Sequence, residues 1–137
     1  MEIDVKKILE LNLKLNNLLE GFDEFYLNKK FNLTIKDKIL VCLISKNLSP
    51  FELIKNISIA KSNLALALSD MEKKGLVVKK KDEIDKRNIV ISLTANGKVK
   101  ANEVLNALNK NINSTLAYKN NAEEINKLVE LLNDKIS

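Results

Sequence analysis

The fold is decided by residues 49–77, which read SPFELIKNISIAKSNLALALSDMEKKGLV. Ser49 is suited to cap a helix whose first residue is Pro50, because serine accepts a backbone hydrogen bond and proline has no N–H to satisfy. That short helix is followed by a break at residues 57–59 and by a second helix over residues 60–74. Two helices joined by so tight a connection predict a helix-turn-helix.

A charged β-hairpin is predicted directly after the second helix, which ends at Gly75 in the position where glycine closes helices. Residues 76–81 and 88–93 are two short strand-like runs, and the link between them is polar. The second run alternates, with one predicted face of Ile89, Ile91 and Leu93 and another of Asn88, Val90 and Ser92. A hairpin in this place predicts a winged helix.

The N-terminal region, from residue 3 to about 30, has the pattern of one long amphipathic helix. Apolar residues recur at steps of three and four, which is the spacing of a coiled-coil seam. They are Ile8, Leu11, Leu15, Leu18, Phe22 and Phe25. Such a helix packs on its own domain or on a second copy, and for so short a chain we expect self-association.

Three further helices complete the pattern. Thr34 and Asp37 form a capping-box-like pair before the apolar run at 38–44. Thr94 is placed to cap a helix reaching about residue 117, and a last helix covers roughly 122–135. The predicted class is therefore mainly α with a small β-hairpin wing. We expect a winged helix-turn-helix lobe at 32–97 and a helical dimerisation region formed by 1–31 and 98–137.

Composition argues against an enzyme. Among 137 residues there is no histidine, a single cysteine, and three glycines that stand far apart. The commonest general base, the usual zinc ligands and a glycine-rich phosphate loop are therefore missing, so we expect no catalytic residue, metal or cofactor. The net charge of +5 favours an anionic partner such as nucleic acid. With no signal peptide or bilayer-spanning run, a cytoplasmic protein without membrane contact is expected.

Cys42, the one cysteine, permits two interpretations. It can be a peroxide-sensing thiol or a small buried hydrophobe inside the apolar run at 38–44. No charged residue is adjacent in sequence to lower the pKa of its thiol, which favours the buried hydrophobe.

Two motifs, Asp85-x-Arg87 and Leu93-Thr94-x-x-Gly97, resemble those of the multiple-antibiotic-resistance regulator (MarR) family. The helix-turn-helix aligns with the family without a gap at Ser49, Pro50, Leu53, Ile59, Ser62, Glu72, Gly75 and Leu76. The resemblance implies a homodimeric winged-helix transcription factor that binds operator DNA and usually represses. It also implies a small-molecule effector, commonly anionic or phenolic, in a crevice between the lobe and the dimer region, or control by cysteine oxidation.

The second helix of the pair is the expected recognition helix. At about 100° per residue, Leu64, Leu68 and Met71 fall on its core face. The predicted outward face carries Ser62, Asn63, Leu66, Ser69, Asp70 and Lys73. In the major groove, Asn63 can pair with adenine, Ser62 with several bases, and Leu66 with a thymine methyl, while Lys61 can reach phosphate.

This face departs from the family pattern at three positions. Leu66 stands where the family usually has a polar residue, Asp70 where it has a basic one, and Ala60 where serine is a frequent N-cap. An exposed leucine and an acid form a poor surface against a polyanion. The alternative is that this face reads no bases, or that another part of the protein covers Leu66.

The predicted wing carries the only arginine of the chain, Arg87, together with Lys79, Lys80, Lys81 and Lys86. A planar guanidinium suits the narrow, strongly negative minor groove, and the lysines are expected to contact phosphates. Asp85 can hold the guanidinium or brace the turn. The alternative is that Asp85 and Arg87 form a solvated surface pair without a role in binding.

The leading prediction is thus a dimeric, MarR-type DNA-binding regulator, expected to repress. One rival is a degenerate winged-helix protein that binds a protein partner, and another coats DNA without sequence preference. Four aromatic residues near the junction of the first helix and the lobe can line an effector crevice, or they can simply pack in the core or in the dimer contact. They are Phe22, Phe25, Tyr26 and Phe31.

Overall fold

The computed structural model describes residues 1–20, 33–113 and 120–135. These ranges hold six helices and two strands. They are α1 (Val5–Glu20), α2 (Ile35–Cys42), α3 (Pro50–Ile57), α4 (Lys61–Lys73), β1 (Val77–Lys81), β2 (Ile89–Leu93), α5 (Ala95–Asn113) and α6 (Ala122–Lys135). The order of elements confirms the predicted winged helix. The chain divides into two compact units, residues 32–106, here called the lobe, and residues 1–31 with 107–137, here called the helical unit.

Capping boxes begin two helices of the lobe, as predicted. At α2 the backbone N–H of Asp37 donates to Thr34 Oγ1 (3.2 Å), and the Thr34 N–H donates to the Asp37 carboxylate (3.1 Å). At α3 the same exchange joins Ser49 and Glu52, with both distances 3.1 Å. Each box satisfies two N–H groups at a helix end that have no partner within the helix.

The helix-turn-helix connection depends on one residue in the left-handed region. Ser58 closes α3 with φ 57°, and its N–H donates to the carbonyl of Ile54 (2.9 Å). The chain then enters α4 after Ala60, which has extended dihedrals and no side-chain cap. The predicted break is present but lies one residue later, at 58–60, because Ile57 still belongs to α3. The missing side-chain cap at Ala60 is confirmed.

The C-terminal end of α4 is closed by Gly75, which has φ +72°. The N–H of Leu76 donates to the carbonyl of Met71 (2.9 Å), and the N–H of Gly75 donates to that of Glu72 (3.0 Å). This pair of bonds is a Schellman motif, and it favours glycine because the left-handed conformation strains any residue with a Cβ. The turn sends the chain directly into β1.

The core of the lobe is apolar and closed. The three residues predicted for the core face of α4 are buried there, and Ala67 joins them. The core cluster comprises Ile39, Leu40, Leu43, Leu48, Leu53, Ile59, Leu64, Ala67, Leu68, Met71, Val77, Ile91, Leu93 and Ala101. Burying a large aliphatic side chain contributes roughly 1.5–3 kcal/mol, so this cluster holds α2, α3, α4 and the base of the hairpin together.

The hairpin pairs β1 and β2 antiparallel, from Val77 opposite Leu93 at the base to Lys81 opposite Ile89 near the tip. Residue Leu48, before α3, adds a bridge to Ile91, with N–O distances of 3.3 and 2.7 Å. This bridge ties the hairpin to the helix-turn-helix.

Burial along β2 differs from the predicted alternation between two faces. Ile91, Ser92 and Leu93 are all buried, whereas Ile89 is exposed although it belongs to the predicted inner face. In β1, Val77 is buried and the other four residues are exposed. The physical reason is that the hairpin projects from the lobe, so the distance from the core decides burial more than the strand face does.

The motif Leu93-Thr94-x-x-Gly97 fastens the base of the hairpin to the turn after α4. Thr94 Oγ1 donates to the carbonyl of Gly75 (2.5 Å) and accepts from the N–H of Gly97 (3.0 Å). The Thr94 N–H donates to the carbonyl of Leu76 (3.0 Å). A Cβ on Gly97 would lie 1.9 Å from that carbonyl oxygen. Glycine is therefore needed for the close approach of α5, and the contact fixes the hairpin relative to α4.

In the helical unit, Leu108 of α5 is buried, but the described side chains of α1 and α6 show the opposite burial. Every described side chain of residues 1–16 and 120–133 is exposed, including apolar ones of both helices. In α1 these are Val5, Ile8, Leu9, Leu11, Leu13 and Leu15, and in α6 they are Ile125, Leu128, Val129, Leu131 and Leu132. The predicted seam residues Leu18, Phe22 and Phe25 lie outside the described side chains. Within the described residues, no helix is long and apolar enough to cross a membrane.

Candidate nucleic-acid interface

The outward face of α4 is open to solvent. Ser62, Asn63, Leu66, Ser69 and Lys73 are exposed, and Leu66 has 72% of its surface accessible. Within the described residues nothing covers Leu66. The alternative in which another part of the protein covers this side chain therefore finds no support there. The face therefore offers an amide, two hydroxyls and an apolar side chain on one rigid helix.

A shallow groove of about 600 Å³ runs between this face and the start of α2. Its lining is mostly apolar at Ile35, Leu66 and Ala67, with polar groups of Asn63 and Thr34 and the charged Lys36 and Asp70 at its edges. Leu66 is thus one wall of an open apolar surface. An apolar methyl group can be accommodated there without displacing any described side chain.

Asp70, the acid on this face, is neutralised by two lysines. Lys36 Nζ donates to Asp70 Oδ2, and Lys74 Nζ lies 2.9 Å from the same oxygen. The hydrogen bond from Lys36, followed by that from Lys74, lowers the pKa of Asp70 to about 2. The pKa of Lys74 is raised mainly by its hydrogen bond to Asp70. The side chains of Asp70, Lys36 and Lys74 together have a net formal charge of +1.

The other acid of α4, Glu72, is also paired. Its carboxylate lies 3.4 Å from Lys79 Nζ of β1. This ion pair joins the end of α4 to the first strand of the wing. Both acids of α4 are therefore held by lysines, and neither is an isolated negative charge.

Arg87 lies in the loop at the end of the wing and is held by Asp85 through a two-pronged contact. Arg87 Nε donates to Asp85 Oδ1 and Nη2 donates to Oδ2, both at 3.0 Å. The backbone N–H of Arg87 also donates to Oδ1 (3.1 Å). Asp85 therefore both holds the guanidinium and braces the turn, the two roles that the sequence left open. The side chain of Arg87 nevertheless remains 89% exposed.

The electrostatics of this pair follow from those contacts. The side-chain hydrogen bonds from Arg87, and then its backbone N–H, lower the pKa of Asp85. The hydrogen bonds to Asp85 raise the pKa of Arg87. Planar, parallel hydrogen bonds fix the orientation of a guanidinium more tightly than a single contact does. The arginine is thus oriented while its remaining N–H groups stay free of that carboxylate.

Backbone hydrogen bonds order the rest of the loop. The N–H of Asp82 donates to the carbonyl of Asn88 (2.9 Å), the N–H of Asn88 donates to that of Asp85 (3.0 Å), and the N–H of Ile84 donates to Asp82 Oδ1 (3.1 Å). The exposed basic residues around the loop are Lys79, Lys80, Lys81 and Lys86. Residues 77–93 carry five basic and three acidic side chains, so the wing has a net charge of +2.

The wing and the start of α3 share a second groove of about 420 Å³. Phe51 and Pro50 line it from α3, and Arg87, Asn88 and Ile89 line it from the wing. Arg87 is therefore next to the helix-turn-helix, and the two candidate DNA-contacting parts belong to one rigid lobe.

Two residues of this surface, Lys36 and Lys74, were missed by the sequence analysis. Lys74 lies four residues after Asp70 on the same helix, a spacing at which acid and base are known to pair, so a local signal was available. Lys36 is 34 positions away in sequence, and no local pattern connects it with Asp70.

The remaining candidates do not belong to this surface. Phe22, Phe25, Tyr26 and Phe31 lie outside the described residues. Cys42 is half-buried, and burial raises the pKa of its thiol, which disfavours the reactive thiolate. In the described ranges, no cluster of histidine, cysteine, aspartate and glutamate is placed to hold a metal ion.

Solved structures share this architecture. A multiple antibiotic resistance repressor, MarR, superposes with a TM-score of 0.66 at 22% identity, covering 100% of this chain and 98% of that one. MarR from E. coli in its reduced form gives a TM-score of 0.55 at 23% identity, covering 94% and 98%. The transcriptional regulator BldR from Sulfolobus solfataricus gives 0.55 at 20% identity, covering 94% and 99%. Among curated proteins, no sequence matches this chain.

The lobe, with the exposed outward face of α4 and its basic wing, has the winged-helix fold of these solved structures. Residues 25–104 match the sequence profile described as transcriptional regulator SarA/Rot, and the chain belongs to that family. The matched family is one of transcription regulators.

Proposed function

We propose that the chain acts as a dimer that binds duplex DNA and represses transcription. Each lobe would place α4 in the major groove and its wing in the adjacent minor groove. The observation that carries this proposal is the Asp85–Arg87 pair. It presents an oriented, 89% exposed guanidinium on the same rigid lobe as the open face of α4.

Base reading is assigned to the N-terminal half of α4. Asn63 would pair with the N6 and N7 atoms of adenine, Ser62 would hydrogen-bond to a neighbouring base, and Leu66 would contact a thymine methyl. Lys61, exposed at the start of the helix, would contact phosphate. The apolar groove beside Leu66 supports the methyl contact, because a polar floor there would have to be desolvated.

The wing would supply charge and read groove shape. A narrow minor groove has a strongly negative potential that attracts inserted arginine. Asp85 holds Arg87 in one orientation, which reduces the side-chain entropy lost when the guanidinium enters the groove. Lys79, Lys80, Lys81 and Lys86 would contact the flanking phosphates.

Dimerisation would cover the apolar faces of α1 and α6. Exposed apolar patches of this extent are typical of protein–protein contacts. A twofold dimer would place the two lobes on half-sites about one helical turn, or roughly 34 Å, apart. A small-molecule effector remains part of the proposal, and its predicted residues lie outside the described ranges.

The proposal is tested by titrating fluorescent duplexes from the DNA upstream of the gene with the wild-type protein and with Arg87→Ala. Losing a good groove contact should weaken binding by about 5- to 150-fold. The matched control is Lys127→Ala, which removes one positive charge from an exposed position of α6. Equal, small effects of both variants would remove the wing from the mechanism. A footprint on a single half-site would contradict the dimer geometry.

The exposed Leu66 favours a second candidate, a winged-helix protein whose α4 face binds a protein partner. Duplexes in which uracil replaces thymine separate the two functions, since uracil lacks the 5-methyl group. If Leu66 reads thymine, the substitution weakens wild-type binding and leaves Leu66→Ala unaffected. A wild-type protein that ignores upstream DNA but co-elutes with a partner protein supports the second candidate. Equal affinity for every sequence would instead indicate a DNA-coating protein.

A further inference from the structure

Asp70 lies on the α4 face that the proposed function places against DNA. A free carboxylate there would repel the phosphates, so its presence calls for an explanation. The family resemblance gives none, because that position is usually basic.

The two lysines that hold Asp70 come from different elements. Lys36 belongs to the first turn of α2, and Lys74 follows the last residue of α4. Both ammonium groups converge on one oxygen, Oδ2, although their side chains remain 40% and 59% exposed. Each lysine is therefore accessible to an anion from solvent while it is engaged by the carboxylate.

In this arrangement, Asp70 occupies the ammonium groups of Lys36 and Lys74 as a bound phosphate would. A carboxylate and a phosphate both offer anionic oxygens to ammonium groups at similar distances. A DNA phosphate approaching Lys36 or Lys74 must therefore compete with Asp70 Oδ2 for the same N–H donors. Exchanging one anion for the other leaves the number of ion pairs unchanged, so the lysines contribute little to binding any phosphate.

We propose that Asp70 is an internal competitor for phosphate, a specificity-determining residue that suppresses sequence-independent binding to duplex DNA. The proposal rests on the proposed function. Sequence-independent affinity comes almost entirely from lysine and arginine contacts to phosphates. On arbitrary DNA, the protein can bind in whichever register gives its lysines the most phosphate contacts. On an operator, base contacts fix the register. Occupying Lys36 and Lys74 therefore reduces binding to arbitrary DNA more than binding to the operator.

The test is the affinity of the full-length protein for a random-sequence duplex and for its upstream DNA, each measured from 0.05 to 0.5 M salt. For Asp70→Asn, we expect affinity for the random duplex to rise on the order of tenfold at 0.1 M salt. The salt slope should steepen by up to about 1.8 per lobe, because two lysines gain phosphate contacts. The ratio of upstream to random affinity should fall.

Controls separate released lysines from a general change in charge. Glu103→Gln removes one negative charge from α5, where Lys100 lies 3.7 Å away, and should change the slope much less. Adding Lys36→Gln to Asp70→Asn should reverse about half of the gain, whereas Lys36→Gln alone should have a small effect. Such non-additivity identifies residues that act together. Asp70→Ser provides a second variant if Asp70→Asn shows a lowered melting temperature.

The charge state of Asp70 sets the pH range of the effect. Its pKa lies below the ordinary value of 3.8, so the pairing with lysine is complete above pH 4 and is lost as pH falls toward about 2. The difference between wild type and Asp70→Asn should therefore be the same at pH 6 and pH 8.

Two results would overturn the inference. One is an unchanged affinity and slope for Asp70→Asn on random DNA when wild type binds its upstream DNA, which leaves the proposed function standing. The other is a gain in Asp70→Asn no larger than that in Glu103→Gln. If neither wild type nor Asp70→Asn binds any duplex, the proposed function and this inference fail together.

Discussion

The lobe and the helical unit differ in how they bury apolar side chains. In the lobe, a continuous cluster from α2 to the start of α5 is shielded from solvent. In the helical unit, the described apolar side chains of α1 and α6 are exposed within one chain. The lobe therefore has the core that an independently stable domain needs, whereas the helical unit has apolar surface that a second chain can cover.

Under the proposed function, this difference gives the lobe and the helical unit different roles. A closed core fixes α4 and the wing relative to each other, which a DNA-reading surface requires. In the proposed dimer, the apolar faces of α1 and α6 would gain their burial energy only on association, so the stability of the helical unit would depend on protein concentration. Three experiments test this difference between the lobe and the helical unit.

The largest effect is expected when charges are placed on the apolar face of α6. In Leu128→Asp/Leu132→Asp, two carboxylates would have to be desolvated at the proposed subunit contact, which favours monomers. Operator affinity should fall by about 100-fold or more, because the second half-site no longer binds as part of the same molecule. Sedimentation velocity and the titration above measure both quantities. A variant that remains dimeric would show that α6 is not part of the contact.

The next effect concerns Leu53, which is fully buried in the lobe. Leu53→Ala should lower the free energy of unfolding by about 2–5 kcal/mol through lost burial and a residual cavity. The exposed Leu131 provides the comparison. At low protein concentration, where chains are separate, Leu131→Ala should lower the free energy of unfolding by under about 1 kcal/mol. When the chains associate, the loss should be larger. Urea unfolding over a hundredfold range of concentration distinguishes the two. Equal losses at every concentration would contradict the contrast between the units.

A smaller effect is expected at the junction of wing and lobe. Gly97→Ala places a Cβ against the carbonyl oxygen of Leu76, so α5 must shift. Overpacking of this kind costs about 1–3 kcal/mol. Because the same contact positions the wing, operator affinity should fall as well, while the dimer stays intact. Thermal unfolding combined with the binding titration tests this. Unchanged DNA binding would show that the wing does not depend on this junction.

The sequence predicted the local features of the fold well. The capping residues Thr34 and Ser49, the closing Gly75 and the hairpin after it all act within a few positions of the chain. The start of α3, the bounds of α6 and the pairing of Asp85 with Arg87 followed from such short-range rules. The family resemblance added the winged-helix arrangement, which the structural neighbours share.

Two expectations show the limit of predictions made from neighbouring residues in the sequence. The alternation predicted for β2 ignored its distance from the core, so the exposure of Ile89 and the burial of Ser92 were not foreseen. From the sequence alone Asp70 is an unfavourable charge, because no local pattern places Lys36 beside it.

What the sequence determined by itself is the set of elements and their order, since helix caps, turns and apolar periodicity are encoded by neighbouring residues. Only the tertiary structure decided which distant groups meet: Lys36 with Asp70, Gly97 with Leu76, and Leu48 with β2. The physical reason is that these contacts exist only after the core has brought α2, α4 and the hairpin together. The charge of the outward face of α4 is therefore a property of packing as much as of composition.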